Sequence, residues 1–176
     1  DKFKVEDATT RLQQSVVDLS KGDNGYTGFK AGNISNTFHK EYMDRFEDAR
    51  KEIGDSLGND EQKEMFERRA NLSRVGYGEN LINHITKEND AFNEQVYTGG
   101  VATELDLASS DYDNENEVKR ALLRTEKLTE AEADRRGLTG DIRTTLLKEN
   151  KSNIHESVIR QAIDDGNHQY AKDWFK

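Results

Sequence analysis

Neither proline nor cysteine occurs anywhere in the 176 residues, and each absence excludes something. Without cysteine, no disulfide and no thiolate metal site can staple the fold, and the redox compartment leaves no trace in the sequence. Without proline, the residue that costs about 3 kcal/mol inside a helix never interrupts the chain, so long helices are open to it. Long apolar runs are missing as well: none approaches the roughly 18–20 residues needed to span a bilayer. The first residues carry no signal-type apolar stretch. Positive charge is in deficit, with 26 Lys and Arg against 35 Asp and Glu, a net charge of -9. That balance supplies no cationic stripe for a phosphate backbone, so no direct nucleic-acid partner is expected.

Apolar residues are scarce too, at 32% of the chain. Charged residues make up 35%, and the mean hydropathy is -1.02. So little apolar material excludes a thick globular core for this length. The two charge signs are interleaved, which suits solvated helix faces better than a self-repelling coil.

What is present repeats at helical intervals. Val5, Ala8, Leu12, Val16 and Leu19 recur every three or four residues and predict a first helix ending near Ser20. Gly22 to Asn33 holds four glycines around Tyr26 and Phe29, which reads as an ordered loop pinned by two aromatics. Asn36 or Thr37 can cap a second helix with Tyr42, Phe46, Ala49 and Ile53 on its stripe and Gly54 at its end. Asn59 or Asp60 can cap a third, whose apolar positions include Phe66, Ala70, Val75, Ile82, Ile85, Phe92 and Val96. The last four advance as in a coiled-coil seam, with Asn89 at one seam position. Gly76, Gly78, Gly99 and Gly100 can bend this helix, yet the pattern resumes at Leu105 and Ala108, predicting one long helix from about 60 to 109.

After a polar turn from Ser109 to Asn116, Val118, Leu122, Thr125 and Leu128 predict a fourth helix closed by Gly137. Thr139, Gly140 and Asp141 begin a fifth, with Ile142, Leu146, Ile154, Val158 and Ala162 on one face and Gly166-Asn167 at its end. His168, Tyr170, Ala171, Trp174 and Phe175 follow in a last helix. Short connections favour antiparallel neighbours. The expected fold is therefore all-α: an elongated antiparallel helical bundle built on one long helix that its glycines can kink. The chain is expected to be one helical unit over 1–176, with N-terminal helices and the glycine-rich loop at 1–56, the long helix at 57–109 and returning helices at 114–176. The large apolar side chains Tyr170, Trp174 and Phe175 sit where a complete domain normally frays, which marks an interaction end and suggests a longer natural polypeptide.

No constellation of catalytic residues stands out. The glycine loop lacks the Gly-x4-Gly-Lys-Ser/Thr spacing of a phosphate loop, since Lys30 is followed by Ala31. Asp111, Asp113, Glu115 and Glu117 alternate like calcium ligands, but Asn116 replaces the turn glycine and Leu122 stands at the twelfth position. His39, His84, His155 and His168 belong to no zinc motif. His155 and Glu156 are adjacent on a helix, so they point about 100° apart and share no site. Glu130, Glu132 and Asp134, or Glu104 and Asp106, could pass for paired glycosidase carboxylates, but nothing in the pattern builds a cleft. The expectation is no catalytic residue, no cofactor, no metal and no enzyme.

Four blocks, taken together, carry a resemblance: Gly25-Tyr-Thr-Gly-Phe-Lys-Ala-Gly-Asn33; Leu57-Gly-Asn-Asp-Glu-Gln-Lys-Glu-Met-Phe-Glu-Arg-Arg-Ala70; Ile154-His-Glu-Ser-Val-Ile-Arg-Gln-Ala-Ile-Asp-Asp-Gly-Asn167; and Tyr170-Ala-Lys-Asp-Trp-Phe175. Across most of residues 5 to 176 the chain resembles a family of large phage and prophage virion proteins. In these a helical segment lies in the N-terminal part of a long polypeptide, and some members carry a lytic transglycosylase domain elsewhere. The stretch Asn33-Ile34-Ser35-Asn36 departs from that pattern, being more polar where members often place Ala or Leu. The resemblance implies a structural or assembly segment of a tail-associated or ejected particle protein, located in the virion or in the cytoplasm of a host carrying the prophage. Its partners would be other virion proteins or further segments of the same polypeptide. A non-catalytic accessory segment of a peptidoglycan-degrading phage enzyme and a bacterial helical adapter are the alternatives.

Overall fold

The structure is a computed structural model and describes Lys2 to Trp174, so Phe175 of the expected interaction end lies outside the described residues. Among these residues every regular element is a helix and the fold is an all-α bundle. The elements are α1 (Lys2–Lys21), α2 (Phe38–Asp55), α3 (Asp60–Ser110), α4 (Glu115–Arg135), α5 (Gly140–Asp164) and α6 (His168–Trp174). Single turns of 3-10 helix at Tyr26–Gly28 and Ala31–Asn33 lie in the glycine-rich loop. The long helix runs unbroken through Gly76, Gly78, Gly99 and Gly100 and ends one residue past the expected point.

The sequence reading treats the chain as one unit, whereas its packing divides it into two compact ones, residues 1–92 and 93–176. In the first unit α1, α2 and the start of α3 lie antiparallel in succession. Arg11 reaches Ser56 from α1 to the end of α2, and α2 meets α3 through Arg50 with Asn71 and Glu47 with Arg74. Its core is aromatic: Tyr26, Phe38, Tyr42, Phe46, Phe66 and Tyr77 are buried, with Val5, Leu12, Ile53 and Leu81 filling between them. Phe46 stacks on Tyr77 with ring centroids 5.1 Å apart. Buried Tyr hydroxyls need partners. Tyr77 donates to the Tyr42 carbonyl at 2.9 Å, and Tyr42 donates to the Asn24 carbonyl.

The second unit packs differently. Its apolar centre is Ala108, Val118, Ala121, Ile154 and Val158, residues small enough for close helix approach. At Gly100 an added Cβ would stand 3.0 Å from the Leu128 side chain, so α3 and α4 meet closely there and a methyl group would require Leu128 to shift by a few tenths of an ångström. Polar groups complete the interior. Asn150 Nδ2 donates to the Tyr97 hydroxyl at 2.6 Å and to Thr129 Oγ1 at 2.9 Å, while Thr129 donates to its own helix at Thr125 O. Thr125 Oγ1 is buried with no hydrogen-bond partner among the described residues.

The ends of the helices follow their chemistry. Asn59 rather than Asp60 is the cap of α3, its Oδ1 accepting from the Gln62 amide at 2.9 Å. Gly137 and Gly166 adopt φ of 65° and 76°, conformations that cost glycine little, and close α4 and α5. In each case the next residue donates back across the turn, Leu138 to Ala133 O and Asn167 to Ala162 O.

Several stripe positions differ from expectation. On α3, Phe66 and Ala70 are buried, but Val75, Ile82, Phe92 and Val96 are exposed, and the buried positions between are Tyr77 and Leu81. On α4 the buried face runs through Val118, Ala121, Thr125, Thr129 and Ala133, leaving Leu122 half-buried. Ile142 at the start of α5 is 67% exposed.

Two substitutions test this contrast by thermal or denaturant unfolding. Phe66→Ala removes a fully buried ring from the first unit and is expected to cost about 3–5 kcal/mol. Thr125→Val replaces an unsatisfied buried hydroxyl by a methyl group of similar shape and is expected to stabilise the chain by roughly 1 kcal/mol. Alkaline titration gives a third reading. Burial pushes the Tyr77 phenol above its ordinary value of 10.0. The stability that goes with its neutral form is complete below that value and is lost as pH rises beyond it. Tyr77→Phe should therefore flatten the alkaline limb of the stability curve.

Candidate interaction surface

The residues that sequence reasoning singled out for chemistry are dispersed in the structure and mostly engaged nearby. His155 Nδ1 accepts from Trp174 Nε1 at 3.1 Å, while its neighbour Glu156 pairs with Arg160 on the same helix. In the acidic turn, Asp111 accepts from Asn114, Glu115 pairs with Lys119, and Glu117 pairs with Arg120. Lys119 holds the Glu115 carboxyl below its ordinary range through a direct hydrogen bond and its charge. Asp134 pairs with Arg143. Glu132 is buried, and the Arg135 guanidinium hydrogen-bonded to it lowers its pKa despite the opposing effect of burial. Glu104 is buried with the Arg124 guanidinium 3.7 Å away. Among the described residues no group of three or more His, Asp or Glu is arranged to hold a metal ion.

The glycine-rich loop is held from all sides. Tyr26 is buried against Tyr42, Tyr77 and His84, each with ring centroids within 5.9 Å. Phe29 packs edge-on against Phe38 and Tyr42. The Phe29 carbonyl accepts from His84 Nε2 at 2.9 Å, which places the proton on that nitrogen, and Lys30 pairs with Glu88 one turn further along α3 at 3.3 Å. Thr27 Oγ1 donates to the Ser20 carbonyl at 2.6 Å. The loop's backbone is thus spent on joining α1 to α2 and α3, as expected from its two aromatics.

The C-terminal aromatic end is likewise engaged within its own unit. Tyr170 donates its hydroxyl to the Tyr112 carbonyl at 2.6 Å and meets the Tyr112 ring edge-on. Trp174 stacks on Tyr170 at 5.9 Å and is only part-exposed against the second core. Asn167 caps the short helix through Tyr170 N. Tyr170 and Trp174 are therefore docking residues that fasten α6 onto α5 and the turn between α3 and α4.

An open apolar surface lies elsewhere. In the first unit Leu72 is 77% exposed, Val75 57% and Ile82 51%, all on α3. At 3.6 residues per turn they sit roughly 160° around the helix from Phe66, Ala70, Tyr77 and Leu81, which face the core. This outer stripe is what the sequence reading missed: it placed Val75 and Ile82 on the packing face and passed over Leu72. The signal was present, because Phe66, Ala70, Tyr77 and Leu81 already form a complete helical stripe that leaves no place for the other three.

Comparison with known proteins places the chain in no group: no family model matches it, and neither a curated protein nor a solved structure matches it.

The chain's single tryptophan makes the docking of α6 measurable. Tyr170→Ala removes both the stacked ring and the bond to Tyr112, and is expected to shift Trp174 fluorescence to the red as its ring enters water. An unchanged emission spectrum would show that α6 stays docked without Tyr170.

Proposed function

We propose that this chain is a structural or assembly segment of a phage or prophage virion protein, tail-associated, that works through helix packing and protein–protein contacts rather than catalysis. One observation supports the contact reading above the rest: Leu72, Val75 and Ile82 form an apolar stripe on the outside of α3, opposite a core that is already filled. The virion setting is drawn from the sequence resemblance. It is supported by where the four resembling blocks fall, since each supplies a packing device. Gly25–Asn33 is the pinned loop, 57–70 the capped start of α3, 154–167 the inner face and glycine stop of α5, and Tyr170 with Trp174 the docked end. A segment whose resembling blocks hold helices together suits a particle component, and its location would be the particle, or the host cytoplasm before assembly.

The test is to induce the prophage in a strain carrying this reading frame, purify particles on a density gradient, and search them by mass spectrometry for peptides of this segment. Recovery at a fixed stoichiometry to a known structural protein is the expected result. Consistent absence from intact particles would overturn the assignment. Incubating the segment with purified peptidoglycan addresses the non-catalytic half, and release of muropeptides would remove it.

A further inference from the structure

Between residues 65 and 82 the outer face of α3 carries two columns at heptad spacing: Met65, Leu72 and Glu79 in one, Arg68, Val75 and Ile82 in the other. Met65, at the edge of its column, is half-buried and packs against the first core, while the other five residues lie away from the core face of Phe66, Ala70, Tyr77 and Leu81 and are exposed. Among the described residues Arg68 pairs with Glu64 on the preceding turn of its own helix, at 2.5 Å.

The order of residues along these columns is self-complementary in one orientation. Two copies laid antiparallel, with Leu72 against Val75 of the second copy, also bring Met65 against Ile82 and Arg68 against Glu79. The two-fold axis repeats each contact, giving four apolar layers and two opposite-charge layers from one surface. In the parallel arrangement each residue meets its own counterpart, so Arg68 faces Arg68 and Glu79 faces Glu79, and like charges oppose the pairing. On one flank Gly76 has nothing within 4 Å of where a Cβ would stand, which leaves space for a second backbone to approach.

We propose that this face of α3 binds a second copy of the chain as an antiparallel helix pair, in the register that sets Leu72 against Val75. The proposal rests on the reading of this stripe as a contact surface and not on the virion setting. The paired segment is about 27 Å long. A contact of that size falls at the small end of specific interfaces, so the affinity is expected to be weak, with a dissociation constant on the order of tens of micromolar.

Sedimentation equilibrium of the whole chain, from about 5 to 500 µM, reads the association directly. The wild type is expected to pass from monomer to dimer across that range. Arg68→Glu and Glu79→Arg, each placing like charges in two layers, are expected to weaken the dimer roughly tenfold or more. Together they swap the pair and are expected to restore it to within about threefold. Both sites are exposed and polar, so the charge swap probes pairing with the fold intact, as circular dichroism would verify. Orientation is read separately, since the chain lacks native cysteine. Mixing Leu72→Cys with Val75→Cys chains under mild oxidation should give mixed disulfides in preference to either self-pair.

A wild type that stays monomeric throughout, single reversals without effect, a double reversal that fails to recover, or dominant Leu72→Cys self-pairs would each overturn the proposal. A monomeric chain recovered from purified particles would remove the self-pairing and leave the virion reading standing. A dimeric chain absent from particles would do the opposite.

Discussion

The shortage of apolar side chains is the constraint that the rest of the structure answers to. Each helix can bury only a narrow stripe, so each unit must extract stability from few residues. The first does so with aromatic rings, which remove the most surface per residue. Rings with hydroxyls bring an obligation, because a buried phenol without an acceptor costs about 1–3 kcal/mol. Here the obligation is met by backbone carbonyls. Tyr77 bonds the α2 carbonyl of Tyr42, and Tyr42 bonds Asn24 in the loop, so one chain of hydroxyls ties α3 to α2 and α2 to the glycine-rich loop. The loop has no core of its own and takes its order from these bonds and from Tyr26, Phe29 and His84.

The second unit meets the same shortage with small residues and hydrogen bonds. Alanines and Gly100 let helix axes come close, which recovers dispersion energy that larger side chains would otherwise supply. The cost is an interior that includes Thr125, Thr129, Asn150 and Glu132, whose polar atoms must find partners to be neutral in energy. Most do, through Tyr97 and Arg135, and Thr125 does not. The two units therefore differ in kind: one is held by the area of its rings, the other by the fit of its small side chains and polar contacts.

Helix limits were legible in the sequence because they depend on local chemistry. Asn59, Gly137, Gly166 and the absence of proline act within a turn of where they stand, and the predicted ends of α1, α3, α4 and α5 fall within a residue or two of the observed ones. The pinned loop was legible for the same reason: Tyr26 and Phe29 had nowhere to go but inward. Which stripe of α3 would be buried was not legible by simple counting. Apolar residues occur on two sides of that helix, and the choice between them is made by α1 and α2, whose positions are tertiary facts. The buried side carries the rings of Phe66 and Tyr77, which remove more surface from water, and the Tyr77 hydroxyl stays satisfied there by bonding the Tyr42 carbonyl. The local engagement of the C-terminal cluster was not legible either. Tyr170 and Trp174 look like an open end in the sequence, but Tyr112 and His155, dozens and tens of residues away, supply the acceptors that dock them.

An exposed stripe of this kind has an energetic meaning. A fully buried Leu, Val or Ile is worth about 1.5–3 kcal/mol, so leaving three of them largely in water on a chain with so few apolar residues forgoes several kcal/mol of stability. Scattered exposed apolar residues are ordinary and carry no such message. Alignment does, because one helix face with Leu72, Val75 and Ile82 in register, bordered by Arg68 and Glu79, has the composition of half an interface: an apolar centre and charged groups placed to be matched. Among the described residues the carboxylates and histidines converge on no metal-holding group, and Glu115, Glu117, Glu132, Asp134 and Glu156 pair with a lysine or arginine of their own unit. Physical economy thus points the unspent part of this molecule outward, toward another helix, which is the sense in which packing is its proposed function.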